Sequence, residues 1–244
     1  FNRVAAKKQV EKLGDRRDPN YSFGTNPCSE IILRDAEFCN LTEVVVRPED
    51  TPATLAEKVE LASILGTWQA TLTHFRYLSK TWKKNCEEEA LLGVSLTGIM
   101  DNAYTNGTHK DKDFTLASTL TYLKGIAVET NKKIAKQLGI NPAAAITCVK
   151  PSGTVSQLVD ASSGIVKKGI PHESDVTKPD HTWVFSFPLK TTKSAICRND
   201  KTALEQLEFW KLYQEYWCEH KPSVTITVRE YEWIEVGAWV FKNF

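Results

Sequence analysis

Short apolar segments alternating with long amphipathic ones constrain this chain of 244 residues more than any other feature. Residues 41–47, centred on Val44-Val45-Val46, read as a short buried strand. Behind Asp50 and Thr51, Pro52 opens a long helical pattern through Leu55, Val59, Ala62, Leu65 and Leu72. Residues 94–99 read as a strand, and 114–138 as a second long helix closed by Gly139. Residues 145–149 form a strand-like run that leads straight into Pro151-Ser152-Gly153-Thr154, and 183–187 form another. A helix is expected over 202–218, with Leu204, Leu207, Trp210, Tyr213 and Trp217 on one face. Residues 223–228 alternate as a strand does, and 231–241 read as a closing helix. At the start, residues 1–13 are helix-like and end at Gly14, and 15–24 read as loop. Strands alternating with long helices predict an α/β fold with a mainly parallel sheet.

Composition narrows the function classes. The formal net charge of +1 supplies no electrostatic reason for a nucleic-acid or membrane partner. No apolar run approaches the ~18 residues of a membrane helix. Six cysteines at 28, 39, 86, 148, 197 and 218 follow no regular spacing, which suits a reducing cytoplasm. The seven tryptophans are expected mostly in packing.

The chemistry-bearing stretch is Asn26-Pro27-Cys28-Ser29-Glu30, followed by Phe38-Cys39-Asn40-Leu41. If extended, it would place Asn26, Cys28 and Glu30 on one face, a thiol between an amide and a candidate base. The spacing fits neither a CxxC redox pair nor a zinc knuckle. On chemistry alone, a buried structural cysteine beside a surface glutamate fits equally well. A second candidate is Pro151-Ser152-Gly153-Thr154-Val155, where a strand is expected to give way to a helix. Small residues there would let a phosphate approach backbone N–H groups, with two hydroxyls as further donors. An ordinary helix cap is the other reading. No GxxxxGK[ST] sequence occurs. The five histidines (74, 109, 172, 181 and 220) are too dispersed for a metal cluster, so no metal site is expected. Cys86, Cys148, Cys197 and Cys218 read as structural or incidental, and Glu87-Glu88-Glu89 as a solvated run.

The Asn26–Glu30 stretch resembles the active-site loop, Asn-x-Cys-x-Glu, of the catalytic subunit of ribonucleotide reductases. Lys150-Pro151-Ser152-Gly153-Thr154-Val155-Ser156-Gln157 is similar to the family's substrate-phosphate segment. Phe38-Cys39-Asn40-Leu41 and Thr42-Glu43-Val44 resemble the adenosylcobalamin-dependent class II enzymes. The likeness runs on into Trp183-Val184-Phe185-Ser186-Phe187-Pro188 and Val236-Gly237-Ala238-Trp239.

This resemblance implies reduction of ribonucleotides to 2′-deoxyribonucleotides by a thiyl-radical mechanism. Cys28 would carry the transient radical, Glu30 would be the base on the ribose 3′ hydroxyl, and Asn26 would hydrogen-bond the ribose. Cys39 would be one member of the reducing pair. Pro27, Ser29 and the segment Pro151, Ser152, Gly153, Thr154 and Val155 would contact substrate. Implied too are adenosylcobalamin as cofactor, a ribonucleoside di- or triphosphate as substrate and a thioredoxin-like reductant. The implied fold is the second half of a ten-stranded α/β barrel, with the cysteine on an internal finger loop. By the same resemblance residues 1–244 form the C-terminal half of that barrel. The N-terminal half, effector region and C-terminal thiol tail would be absent, and a complementary N-terminal polypeptide is expected as partner. The chain also departs from the family near 165–166, where a His-Pro-containing stretch and an arginine-rich strand are missing. Two rivals remain: a class I subunit, disfavoured because residues 223–228 hold no tyrosine, and a non-catalytic remnant of the same fold.

Overall fold

The computed structural model describes residues 2–13, 16–110, 114–161, 195–197 and 200–243. The strand expected over 183–187 and the departure at 165–166 lie outside the described residues.

Two layers of one pattern build the core. Strand β3 (Asn40–Val45) pairs in parallel with β4 (Leu92–Thr97), from Asn40 opposite Leu92 to Val45 opposite Thr97. The chain between them forms helices α2 (Pro52–Gln69) and α3 (Lys80–Glu89). β4 then meets Thr147 in parallel through Val94, and Val149 meets Pro222 in parallel. Between these bridges run α5 (Leu116–Leu138) and α7 (Ala203–Tyr216). Strand–helix–strand crossovers between parallel neighbours are what the alternating sequence predicts. The short elements are α1 (Asn2–Leu13), β1 (Phe23–Thr25), β2 (Ile32–Arg34), α4 (Ala103–Asn106), α6 (Val155–Leu158) and α8 (Trp233–Asn243).

Local chemistry sets the helix ends. Thr51 caps α2 through the Thr54 N–H, with Pro52 in the first turn, where its missing N–H costs nothing. Thr115 caps α5 in the same way, and Gly139, at φ 69°, ends it in the left-handed conformation. Every residue of β4 is buried: α2 packs on the sheet from one side, and the side chains of Leu41, Cys39 and Cys148 close over Gly93. Its end is set by Gly98 at φ 83°, where a side chain would collide with the Val46 carbonyl.

Three expectations need correction. Among the described residues, 223–228 form no strand; Pro222 bridges to the sheet, and the chain there is half-buried coil. Among the described residues, 145–149 form isolated bridges rather than a continuous strand. Glu87-Glu88-Glu89 is not a solvated run, since it ends α3 and the Glu89 side chain is fully buried. There Arg17 reaches Glu89 with two hydrogen bonds (3.1 and 2.6 Å), and Arg34 pairs with it at 3.0 Å. Two arginines make burial of that carboxylate tolerable.

Candidate functional site

Strands β1 and β2 pair antiparallel, Thr25 opposite Ile32, so residues 26–31 are the tip of a β-hairpin. The Asn26–Glu30 stretch is therefore a tight turn and not an extended run. Ser29 N–H donates to the Asn26 carbonyl (2.9 Å), and Ser29 takes φ 61°, a left-handed conformation that non-glycine residues seldom adopt. The alternating-face argument fails for this reason, but the turn brings Asn26 and Glu30 together by another route. Asn26 Nδ2 donates to Glu30 Oε1 at 2.5 Å, and Asn26 Oδ1 accepts from the Ile31 N–H at 3.0 Å.

Two anchors hold the hairpin on the core. Arg34, in β2, joins Glu88 and Glu89 at the end of α3 and stacks over Tyr21, 3.8 Å from the ring centroid. At the tip, the Lys221 N–H donates to the Glu30 carbonyl (3.0 Å).

The Glu30 side chain is fully buried and forms an ion pair with Lys150, the residue that precedes the Pro151–Val155 segment. Thus Glu30 Oε1 is held by Asn26 and Lys150 together, while Oε2 is buried without a hydrogen-bond partner among the described residues. Burial acts to lower the Lys150 pKa, but the hydrogen bond and charge of Glu30 outweigh it and hold the ammonium above its ordinary value.

Lys150 is the hub of the site. Within its electrostatic reach lie Cys28, Cys39, Cys148, Glu30 and Glu43. The Cys28 residue is exposed, at the tip of the turn. Cys39, just before β3, turns its sulfur inward against the bare face of Gly93 in β4, which the Cys148 sulfur approaches as well. Burial first, then the charge of Glu37, pushes the Cys39 thiol far up, so it rests as a neutral thiol. Glu37 itself is pushed up to about 8, by burial first and then by the neighbouring charge of Glu89.

Of the second segment, Ser152 is buried, and Pro151, Gly153 and Thr154 are exposed. Nothing stands within 4 Å of where a Gly153 side chain would project. The helix that follows, α6, spans four residues only. It is too short for a summed dipole, so donors in this segment must come from its loop backbone and hydroxyls.

Sequence reasoning passed over two groups here. Lys150 was visible only as the first letter of the segment. Glu43 lies in an apolar run, where a carboxylate is costly unless it has a task, and that cost was the available signal. Pro27 and Ser29 are exposed parts of the turn. Among the described residues, no three His, Cys, Asp or Glu side chains gather as a metal site, and no helix is long and apolar enough to cross a membrane. His220 is fully buried with Nε2 2.7 Å from the Leu92 carbonyl oxygen, and burial lowers its pKa to about 3.

No family model matches the chain. It is 26% identical over 262 residues to an adenosylcobalamin-dependent ribonucleoside-triphosphate reductase of Lactobacillus acidophilus, covering 88% of this chain and 35% of that protein. A namesake from Lactobacillus gasseri is 28% identical over 257 residues, covering 86% and 34%. One from Euglena gracilis is 26% identical over 238 residues, covering 87% and 31%. A solved B12-dependent (class II) ribonucleotide reductase superposes with a TM-score of 0.68 at 22% identity, over 89% of this chain and 36% of that one. That structural likeness carries the α/β fold. The chain is a homologue of adenosylcobalamin-dependent ribonucleotide reductases and spans about a third of the length of the relatives it matches.

Proposed function

We propose that this chain carries the reacting thiol and the substrate-holding groups of an adenosylcobalamin-dependent ribonucleotide reductase, which converts ribonucleotides to 2′-deoxyribonucleotides in the cytoplasm. One observation carries the reading. At the tip of the β1–β2 turn, a buried carboxylate is clamped through one oxygen by Asn26 and Lys150, and its other oxygen has no hydrogen-bond partner among the described residues. That is the arrangement of a base held in place for an incoming hydroxyl.

In this reading Cys28, exposed on the turn, forms the thiyl radical and takes the 3′ hydrogen of the ribose. Its S–H bond is close in strength to that C–H bond, so the hydrogen can be returned at the end. Adenosylcobalamin, when bound, supplies the radical equivalent that makes Cys28 reactive. The exposure of Cys28 fits that role, since a sulfur that must meet a cofactor and a substrate in turn cannot be sealed in the core. Glu30 takes the 3′ hydroxyl proton through Oε2. Asn26 spends its amide oxygen and one N–H on the turn, and its second N–H is the one assigned to the ribose. Pro27 and Ser29 shape the turn beside the sugar, and Pro151 to Val155 hold the phosphate of a ribonucleoside di- or triphosphate.

Cys39 supplies one reducing thiol. We place its partner in a complementary polypeptide that also provides the first half of a ten-stranded barrel, with residues 1–244 as the second half and the β1–β2 turn as the finger loop. A thioredoxin-like dithiol would restore the pair. A class I reading would need tyrosines near 223–228, and that stretch has none.

The test is turnover with the complementary polypeptide, adenosylcobalamin and a dithiol. The complete mixture should form deoxyribonucleotide, the chain alone none, and Cys28→Ser should bind nucleotide normally without turnover. Sustained turnover by Cys28→Ser would overturn the reading.

A further inference from the structure

We propose that Glu43 is a positioning residue for the 151–155 segment, and that its charge state sets how tightly the segment holds a phosphate group. The proposal rests on the reading of that segment as the phosphate site.

Glu43 sits on β3 opposite Ser95 of β4. The hydroxyls of Ser152, Thr97 and Ser95 stand against its carboxyl and favour its charged form, and its Oε1 is buried without a hydrogen-bond partner among the described residues. Ser95 Oγ also accepts the Lys150 backbone N–H at 2.9 Å. One carboxyl therefore braces both ends of the turn from Lys150 to Ser152, directly at one end and through Ser95 at the other.

The charged and titratable groups that face it are few. From the end of the sheet comes the Lys150 ammonium, which is already paired with Glu30. From the 147–149 segment beside β4 comes the buried Cys148 thiol, which feels the Glu43 charge. Ser95, Thr97 and Ser152 are neutral. Among the described residues Glu43 thus has no counter-ion of its own, and burial pushes its pKa up to about 7 against the pull of the hydroxyls and Lys150. Both of its forms are populated at neutral pH.

A hydroxyl has one proton to give. While Glu43 is ionised, its charge draws the Ser152 O–H towards the carboxylate, and the carboxylate also repels an anion on the segment. When Glu43 is neutral, Ser152 can turn its O–H to a phosphate oxygen, and the repulsion is gone. Anion binding and protonation of Glu43 must then favour one another reciprocally.

Inorganic sulfate is a suitable probe, because its charge stays constant from about pH 5.5 to 8.5, where phosphate titrates. Sulfate titrations followed by the backbone amide signals of Gly153 and Thr154 should give an affinity at least about fivefold weaker at the higher pH. Glu43→Gln keeps the shape and removes the charge, so its affinity should be flat with pH. The reciprocal measurement needs no variant: saturating sulfate should raise the titration midpoint of the Glu43 carboxyl carbon in the wild-type chain. A midpoint that sulfate does not move, or an equal pH dependence in Glu43→Gln, would overturn the role of Glu43. If sulfate shifts neither amide even at the lower pH, the phosphate assignment itself fails and takes this proposal with it. If Glu43→Gln does not fold, the wild-type midpoint decides alone.

Discussion

Replacing Lys150 with methionine should be far more damaging than loss of a surface lysine. The Glu30 side chain is fully buried and that of Lys150 only 22% exposed, so the pair is shielded from the solvent that makes surface ion pairs nearly worthless. Lys150→Met leaves one oxygen of Glu30 with Asn26 alone and the other with nothing. Orphaning a buried charge costs about 3–5 kcal/mol, and the partial exposure of Lys150 favours the lower end. For a chain of this length, about 3 kcal/mol corresponds to a fall in Tm of roughly 6–12 °C. Urea denaturation followed by far-UV circular dichroism, with Glu30→Gln and the double variant, completes a double-mutant cycle. Adding Glu30→Gln to Lys150→Met should restore most of the loss, since the stranded charge is gone and the amide oxygen still accepts from Asn26. The pH dependence has a definite sign. Lys150 has a folded pKa above its ordinary 10.5, so its contribution is complete below that pH and is lost as pH climbs through the folded value. Wild type and Lys150→Met should run parallel at neutral pH and converge only in strong alkali. A cost below about 1 kcal/mol, or a double variant no more stable than Lys150→Met, would refute the reasoning.

Glu43, raised from 4.5 to about 7, binds its proton more tightly folded than unfolded, so stability should fall by about 3 kcal/mol as pH rises between those values; Glu43→Gln should abolish that share of the slope in urea melts. His220 acts in the opposite direction: it is buried neutral with its pKa lowered to about 3, so stability should fall as pH drops below 6.5, and His220→Asn should flatten that limb. Glu89→Ala strands Arg17 and Arg34 and should cost about 3–5 kcal/mol, read as a lowered urea midpoint. Brief iodoacetamide treatment of the native chain, mapped by peptide mass, should label Cys28 and Cys197 and spare Cys86, Cys148, Cys218 and the inward-turned sulfur of Cys39.

Where sequence periodicity is set by burial on both faces, it predicted the fold well. The run at 41–47, the Thr51–Pro52 start and the Gly139 stop each appear within a few residues of their expected places, because caps and packing act locally. Residues 223–228 misled for the converse reason. Their alternation of β-branched and polar residues fits a strand, yet strand pairing depends on a neighbour far along the chain, which periodicity cannot specify. The acidic triplet misled because Arg17 and Arg34, which bury Glu89, stand 72 and 55 positions away in sequence. The cysteine stretch was legible in composition and not in shape. Asn26-Pro27-Cys28-Ser29-Glu30 names the right groups, but the left-handed Ser29 folds them into a turn where period-two counting does not apply.

That turn also explains how one short stretch can keep a thiol accessible and a carboxylate buried, two demands that conflict in an extended strand of the same length. In the hairpin tip, Pro27, Cys28 and Ser29 face solvent, while Asn26 and Glu30 close the neck beneath them. The neck is then fixed from outside the hairpin by Lys150 and by the Lys221 N–H, both at the ends of parallel segments of the sheet. Ligand sites in parallel α/β folds gather where strands end and backbone groups become available. Here that position lets Lys150 serve two segments at once: its side chain holds Glu30, and its backbone N–H, through Ser95, reaches the carboxyl that braces Ser152. A shift of the 150–152 turn must therefore be felt at Glu30. This coupling makes substitution of Lys150 more informative than substitution of either segment alone.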